Sequence, residues 1–200
     1  MKIGIFGGSF DPIHTGHLVL AEYVKDGAGL DHVVFLPAYE SPFKVGQSNA
    51  YSKHRLKMTE LAVCDNSCFE VSSLDICREH VSYTVDIMRE LSMIYPDDRL
   101  YFIAGTDSFL GIEKWKGSDE LLTRYGFIVG TRPGYRDEEL MDYAEHIKKK
   151  YKSDIITINI PKVDISSTDI RRRCREGRSI KYLVPDNVRD YILHNKLYCK

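Results

Sequence analysis

One feature constrains this chain more than any other. Six short apolar runs rich in β-formers alternate with longer stretches whose apolar residues recur every three or four positions. The runs are 2–6, 32–37, 69–72, 100–104, 127–130 and 155–159, and the helical patterns cover 15–25, 52–64, 83–95 and 138–151. Within 83–95, Val85, Met88, Leu91, Met93 and Ile94 keep helical spacing, as expected of a helix with one buried face; Pro96 closes it. Strands alternating with helices predict an α/β fold, a Rossmann-like doubly wound parallel sheet covered on both faces. Ligands of such sheets bind beyond the carboxyl ends of the strands, where the strand order reverses. The stretch from about 165 to 200 turns helical and basic, and is expected to be a short C-terminal helical segment of a single domain, 1–200.

Composition narrows the partners. With 43% hydrophobic and 28% charged residues, the 200-residue chain can bury a substantial core. Its net charge of −1 gives no global attraction to nucleic acid or to a membrane surface, and no apolar run approaches the ~18 residues of a membrane span. Any anion must therefore be held by a local cluster of donors. Met1 to Gly7 is too soon broken by glycine to read as a signal peptide. The five cysteines, Cys64, Cys68, Cys77, Cys174 and Cys199, are odd in number and form no C-x-x-C pair. They read as reduced thiols of a cytoplasmic protein.

The stretch after the first strand, Gly7-Gly8-Ser9-Phe10-Asp11-Pro12-Ile13-His14-Thr15-Gly16-His17-Leu18, carries the most chemistry. Two glycines let the backbone turn and approach a ligand closely, Pro12 stiffens the turn, and a helix is expected from about Thr15. Free N–H groups at a helix start form an anion site, and His14 and His17, three apart, share one side of that first turn. Two imidazoles beside such donors suit a phosphate whose charge grows during displacement. No carboxylate or cysteine at ligand spacing joins them into a metal pair. The stretch is neither a Walker loop nor a G-x-G-x-x-G fingerprint.

A second anion site is legible in Ile165-Ser166-Ser167-Thr168-Asp169-Ile170-Arg171-Arg172-Arg173. Ser166 or Ser167 is a candidate N-cap, and Arg171 can reach back over that turn with a bidentate fork for phosphate oxygens. Arg172 and Arg173 are expected to face solvent. A capped surface helix with a solvated basic face fits the same residues.

Together these two stretches resemble the H-x-G-H and I-S-S-T-x-I-R signatures of the nucleotidyltransferase superfamily, in the same order and about 150 residues apart. Further segments are similar to those of bacterial nicotinate-nucleotide adenylyltransferases: 37–44, Ser82-Tyr83-Thr84, the run from Phe102 through Asp107 to Trp115, Thr131-Arg132-Pro133-Gly134, Tyr182-Leu183-Val184-Pro185 and Tyr191-Ile192. The resemblance implies an enzyme of NAD synthesis that transfers AMP from ATP to nicotinate mononucleotide, releasing deamido-NAD and pyrophosphate, with Mg²⁺ carried mainly by the ATP phosphates. It implies His14, His17, Lys44 and Arg171 as catalytic groups. Gly8, Ser9, Phe10, His17, Asp107, Ser166, Ser167, Thr168 and Arg171 would contact ATP, and Gly7, Lys44, Thr84, Trp115 and Arg132 the mononucleotide. Trp115, the only tryptophan, would face the pyridine ring, Thr84 its carboxylate, and Asp107 a sugar hydroxyl. Lys44 lies in the polar loop 38–50, a candidate mobile flap. Where the family commonly has P-H-K this chain has Pro42-Phe43-Lys44, and His80 replaces a usual glycine before S-Y-T.

The attacking phosphate is already anionic, so no general base is required. The barrier is the approach of two polyanions: each unit-charge pair at 4 Å costs about 1 kcal/mol in water and about 4 kcal/mol at an effective dielectric near 20. Positioned donors and a cation lower it. The rivals are phosphopantetheine, nicotinamide-mononucleotide and glycerol-phosphate enzymes of the same superfamily, and a regulatory module that binds nucleotide without turnover. Oligomeric state is not legible.

Overall fold

The computed structural model describes residues 1–39, 50–131 and 137–199. Along the chain run β1 (Lys2–Gly8), α1 (Thr15–Ala28), β2 (His32–Pro37), α2 (Ser52–Val63), β3 (Phe69–Val71), α3 (Thr84–Ile94), β4 (Arg99–Gly105) and α4 (Thr106–Leu110). These are followed by α5 (Ser118–Arg124), β5 (Gly126–Thr131), α6 (Asp137–Tyr151), β6 (Ile155–Asn159), α7 (Ser167–Arg175) and α8 (Asp186–His194). All six expected strands form, within two residues at either end. The two helices that periodicity missed, α4 and α5, have five and seven residues, too few for a helical repeat to declare itself.

The strands form one sheet in the order β3-β2-β1-β4-β5-β6. β1 pairs with β4, β4 with β5 and β5 with β6, all parallel, with Lys2 opposite Arg99 and Ile5 opposite Phe102. The order reverses between β1 and β4, so the switch point of the sheet lies at the carboxyl ends of those two strands. Every residue of β5 is buried, which is why it reads as a continuous apolar run rather than an alternating one. Ile3, Ile5, Val33, Ile103, Phe127 and Ile128 are the buried hearts of their strands. Each such side chain contributes about 1.5–3 kcal/mol by leaving water.

The chain divides into two compact units. The first comprises Met1–Phe6, Leu20–Val34 and Tyr83–Lys162, and the second Gly7–Val19, Phe35–Ser82 and Val163–Lys200. Among the described residues, no helix is long and apolar enough to cross a membrane.

Candidate active site

The second unit holds both stretches that the sequence marks for phosphate. At the end of β1 the Gly8 carbonyl accepts the Ala38 amide at 2.9 Å. A β-carbon on Gly8 would stand 2.9 Å from the Phe10 ring, so the turn is built around that ring. Phe10 has a φ of 45°, a left-handed backbone that costs a non-glycine residue about 1–2 kcal/mol. Burial of its ring offsets this cost: the ring lies edge-on to His17 with centroids 5.1 Å apart and tilted against Phe35 at 5.8 Å. The Asp11–Pro12 peptide bond that follows is cis.

His14 is buried, and its ring stacks on His17 with centroids 3.7 Å apart and planes 21° from parallel. The His14 backbone N–H donates to Nδ1 of His17 at 3.2 Å. To accept, Nδ1 must keep its lone pair, so the His17 proton is assigned to Nε2, on the other edge of the ring. Burial pushes His14 down to about 4, which leaves it neutral at physiological pH. Its Nδ1 is enclosed and has no hydrogen-bond partner among the described residues. A buried polar nitrogen without a partner costs about 1–3 kcal/mol. Gly16 explains itself here: a β-carbon would come within 3.1 Å of His14 Nδ1.

The start of α1 is less open than the sequence implies. The Thr15 amide donates to the Leu183 carbonyl at 3.0 Å and the Thr15 hydroxyl to the Tyr182 carbonyl at 3.1 Å. The left-handed Tyr182, with φ 68°, turns two successive carbonyls onto that helix start. The imidazoles, rather than a full set of free amides, are therefore the conspicuous donors of this turn.

At α7 the cap is Ser166, whose side chain accepts the Asp169 amide at 3.2 Å, an interaction worth about 1 kcal/mol. Ser167 Oγ donates to the Pro12 carbonyl at 2.9 Å, and Arg171 Nη1 to the Asp11 carbonyl at 2.7 Å. Arg171 Nη2 reaches Thr168 Oγ1 at 3.3 Å. The H-x-G-H turn and the I-S-S-T-x-I-R helix are thus stitched together through two consecutive backbone carbonyls. Arg172 is exposed and paired with Asp169. Arg173, expected in solvent, is half-buried and donates from Nε to the Ser179 carbonyl at 2.8 Å. The cause is the turn at Gly177, φ 66°, which folds the chain back past the end of α7.

Three residues of this region went unassigned in the sequence reading. Arg55 of α2 is 1% exposed. It donates from Nη1 to the carbonyls of Ser9 at 2.7 Å and Ala38 at 2.6 Å, from Nη2 to Tyr39 at 2.6 Å, and from Nε to Ala50 at 3.3 Å. Asp11 accepts at Oδ1 from the Tyr198 hydroxyl at 2.7 Å and the Ala50 amide at 3.2 Å. Arg55 did leave a signal, because it shares the buried stripe of Met58, Thr59 and Ala62, an odd place for a charge. Asp11 and Tyr198 left none, since nothing in the local pattern of either points to the other.

Of the residues assigned to the mononucleotide, the first unit carries Thr84 and Trp115, whereas Gly7 belongs to the second. Thr84 opens α3 behind the N-cap Tyr83. Trp115 is half-buried and meets Phe102 edge-on at 5.7 Å. Lys116 Nζ lies 4.1 Å above the Tyr83 ring, and a β-carbon on Gly117 would be 2.9 Å from Val85. The S-Y-T segment and the Trp115 turn therefore come together. Asp107 sits exposed in the first turn of α4, whose N-cap is Gly105. Glu113 accepts from Lys150 at 2.7 Å, Tyr151 at 3.0 Å and Tyr143 at 3.1 Å, which fastens the turn before Trp115 to α6. Lys44, Phe43 and Arg132 lie outside the described residues. Among the described residues, no three His, Cys, Asp or Glu side chains are grouped to hold a metal ion.

Comparison with known proteins gives a consistent picture. The family model described as cytidylyltransferase-like matches residues 5–173. A Thermoanaerobacter sp. protein named as a probable nicotinate-nucleotide adenylyltransferase is 45% identical over 100% of this chain and 95% of its own length. One so named from Desulfitobacterium hafniense is 42% identical over 98% and 95%. Among solved structures, a Plasmodium falciparum nicotinic acid mononucleotide adenylyltransferase complexed with NaAD superposes with a TM-score of 0.79 at 24% identity, covering 98% of this chain and 97% of that one. At that identity the likeness speaks for the fold.

Proposed function

The chain belongs to the cytidylyltransferase-like family and is a nucleotidyltransferase, and from that premise we propose that it transfers AMP from ATP to nicotinate mononucleotide. Oxygen of the 5′-phosphate attacks the α-phosphorus, the bond from that phosphorus to the bridging oxygen breaks, and pyrophosphate leaves with the electron pair. Deamido-NAD is the other product. The nicotinate assignment is supported by relatives that bear this name across nearly their whole length.

The observation that carries the chemistry is the stitched pair of phosphate elements in the second unit. His17, with its proton on Nε2, offers a neutral donor that needs no change of protonation to meet the growing negative charge on the α-phosphate. Stacked on His14, it is held at a fixed angle, so little reorganisation is left to the reaction itself. Arg171, seated on the Asp11 carbonyl, still has guanidinium N–H groups for the oxygens of the departing pyrophosphate. No base is needed, because the nucleophile is already ionised. Lys44 is proposed to add charge on the same polyanion.

Mg²⁺ belongs to this reading as a companion of ATP. It is a hard cation that prefers carboxylate and phosphate oxygens, whereas this pair of elements presents imidazoles, hydroxyls and a guanidinium, and the Asp11 carboxylate is engaged by Tyr198 and Ala50. The donor set does not make a magnesium site by itself, and the ion is proposed to ride on the triphosphate. In the first unit, Trp115 and Thr84 are proposed to receive the pyridine ring and its carboxylate, and Asp107 a ribose hydroxyl. Synthesis of this kind in the cytoplasm is proposed.

The test is pyrophosphate release from ATP and Mg²⁺ with nicotinate mononucleotide and, separately, with nicotinamide mononucleotide. Fast release with the acid and slow release with the amide is expected. Equal rates would overturn the nicotinate preference, and no release with either would overturn the adenylyl-transfer reading.

A further inference from the structure

We propose that Tyr198 is a positioning residue for the phosphate chemistry: its hydroxyl fixes Asp11, and the Asp11 backbone in turn seats Arg171. The inference rests on Arg171 acting as a phosphate contact and adds the residue that holds it.

The path is short and made of strong links. Tyr198 Oη donates to Asp11 Oδ1 at 2.7 Å, a charge-assisted bond of about twice the strength of a neutral one. Asp11 is 5% exposed, so its carboxylate depends on protein donors rather than on water. The same residue's carbonyl accepts Arg171 Nη1 at 2.7 Å, and the next carbonyl, of Pro12, accepts Ser167 Oγ at 2.9 Å. Two consecutive peptide oxygens thus set the position of α7 and its arginine. The side chain that pins those peptides is held from the turn after α8.

That turn is built to deliver the phenol. Lys196 and Tyr198 both adopt left-handed backbone, with φ of 51° and 62°, although neither is glycine and each pays for the conformation. The Leu197 amide closes back on the Ile192 carbonyl at 3.0 Å. α8 itself is fastened to α2, by Tyr191 to His54 Nδ1 at 2.9 Å and by Asn187 Nδ2 to the Leu61 carbonyl at 2.5 Å. α2 also carries Arg55, which braces the Ser9 carbonyl two residues before Asp11. The phenol therefore reaches Asp11 from a supported element.

The link is a permanent donor rather than a proton switch. Burial first, then the Asp11 charge and the hydrogen bond to it, push the Tyr198 phenol far up, against the opposing pull of Arg171 and Arg55. The hydroxyl keeps its proton at any pH at which the protein works.

The experiment is a double-mutant cycle on kcat/KM for ATP, using Tyr198→Phe, Arg171→Ala and the pair, with thermal melting of each variant. Tyr198→Phe keeps the ring and removes one donor. It is expected to lower kcat/KM for ATP about tenfold, since small misplacements of a charge clamp are costly, with KM for the mononucleotide within about twofold. In the Arg171→Ala background the same change is expected to have no further effect, because the group it positions is gone. Independent losses that multiply, or a Tyr198→Phe protein with unaltered kinetics, would overturn the inference while leaving the phosphate role of Arg171 standing. Full activity in Arg171→Ala would overturn that role and this inference with it. Should Tyr198→Phe melt too low for turnover assays, calorimetric ATP binding at low temperature decides: affinity equal to that of the unaltered protein would sink the proposal.

Discussion

The region of the second unit proposed to meet phosphate and the aromatic region of the first are held by different kinds of force. Around His14, His17 and Arg171, positions are fixed by backbone carbonyls and buried side chains: His14 is 6% exposed, Asp11 5% and Arg55 1%. Around Trp115 and Thr84, positions are fixed by ring contacts and by the Glu113 cluster, and Lys114, Lys116 and Asp107 lie exposed. A group that must meet charge developing on phosphorus benefits from a rigid, dry setting. A group that only stacks on a flat ring tolerates displacement, because stacking falls off gently with offset. The comparison therefore predicts steep losses in turnover on the phosphate side and shallow losses in binding on the aromatic side.

The largest effect is expected at His17. His17→Ala removes the Nε2–H donor and also the acceptor of the His14 amide, and kcat should fall about 10²–10³-fold with a smaller change in KM. Steady-state kinetics that return the original kcat would break the comparison at its root.

Next comes His14, through stability rather than rate. Its folded value near 4 lies below the ~6.5 of an exposed histidine, so between those limits the unfolded chain binds the extra proton. Stability is then fully present above about pH 6.5 and is lost as the pH falls towards 4, by up to about 3 kcal/mol. Urea titrations at pH 7 and pH 4.5 should show the gap between the protein and His14→Gln narrowing at the lower pH. A gap independent of pH would mean that His14 is not held neutral by burial.

Gly16→Ala sharpens the same contrast. Its β-carbon presses on His14 at 3.1 Å, so the stacked imidazoles must shift by a few tenths of an ångström. A loss of about tenfold in kcat is expected with little change in melting temperature. Normal turnover would show that the histidine pair is more forgiving than its burial implies. The smallest effect is expected from Trp115→Ala: KM for nicotinate mononucleotide rising about five- to tenfold, the lower end of what base stacking contributes, with kcat within about threefold. A kcat collapse there would erase the distinction between the two regions.

The two regions also differed in how far the sequence exposed them. The N-cap at Ser166 or Ser167, which the structure gives to Ser166, the helix start near Thr15 and the three-residue spacing of His14 and His17 are local matters, and they were readable because a helix turn fixes which neighbours meet. Thr84 and Trp115 could be named, but only the fold brings their segments together, by way of Val85 against Gly117 and Lys116 above Tyr83. The α1 start looked open because the carbonyls that occupy the Thr15 donors come from Tyr182 and Leu183. Arg173 looked solvent-facing for the same reason, its acceptor being a carbonyl that arrives after a left-handed glycine.

By itself, then, the sequence determined the alternation of strands and helices, the sheet that alternation demands, and two turns rich in hydrogen-bond donors. Each follows from periodicity or from contacts within a helical turn. Tertiary structure alone decided that the Thr15 donors are occupied, which carbonyls seat Arg171, and that a tyrosine 187 positions away pins Asp11. Those contacts depend on where the chain returns, and that is set by the packing of the whole core rather than by any residue's neighbours.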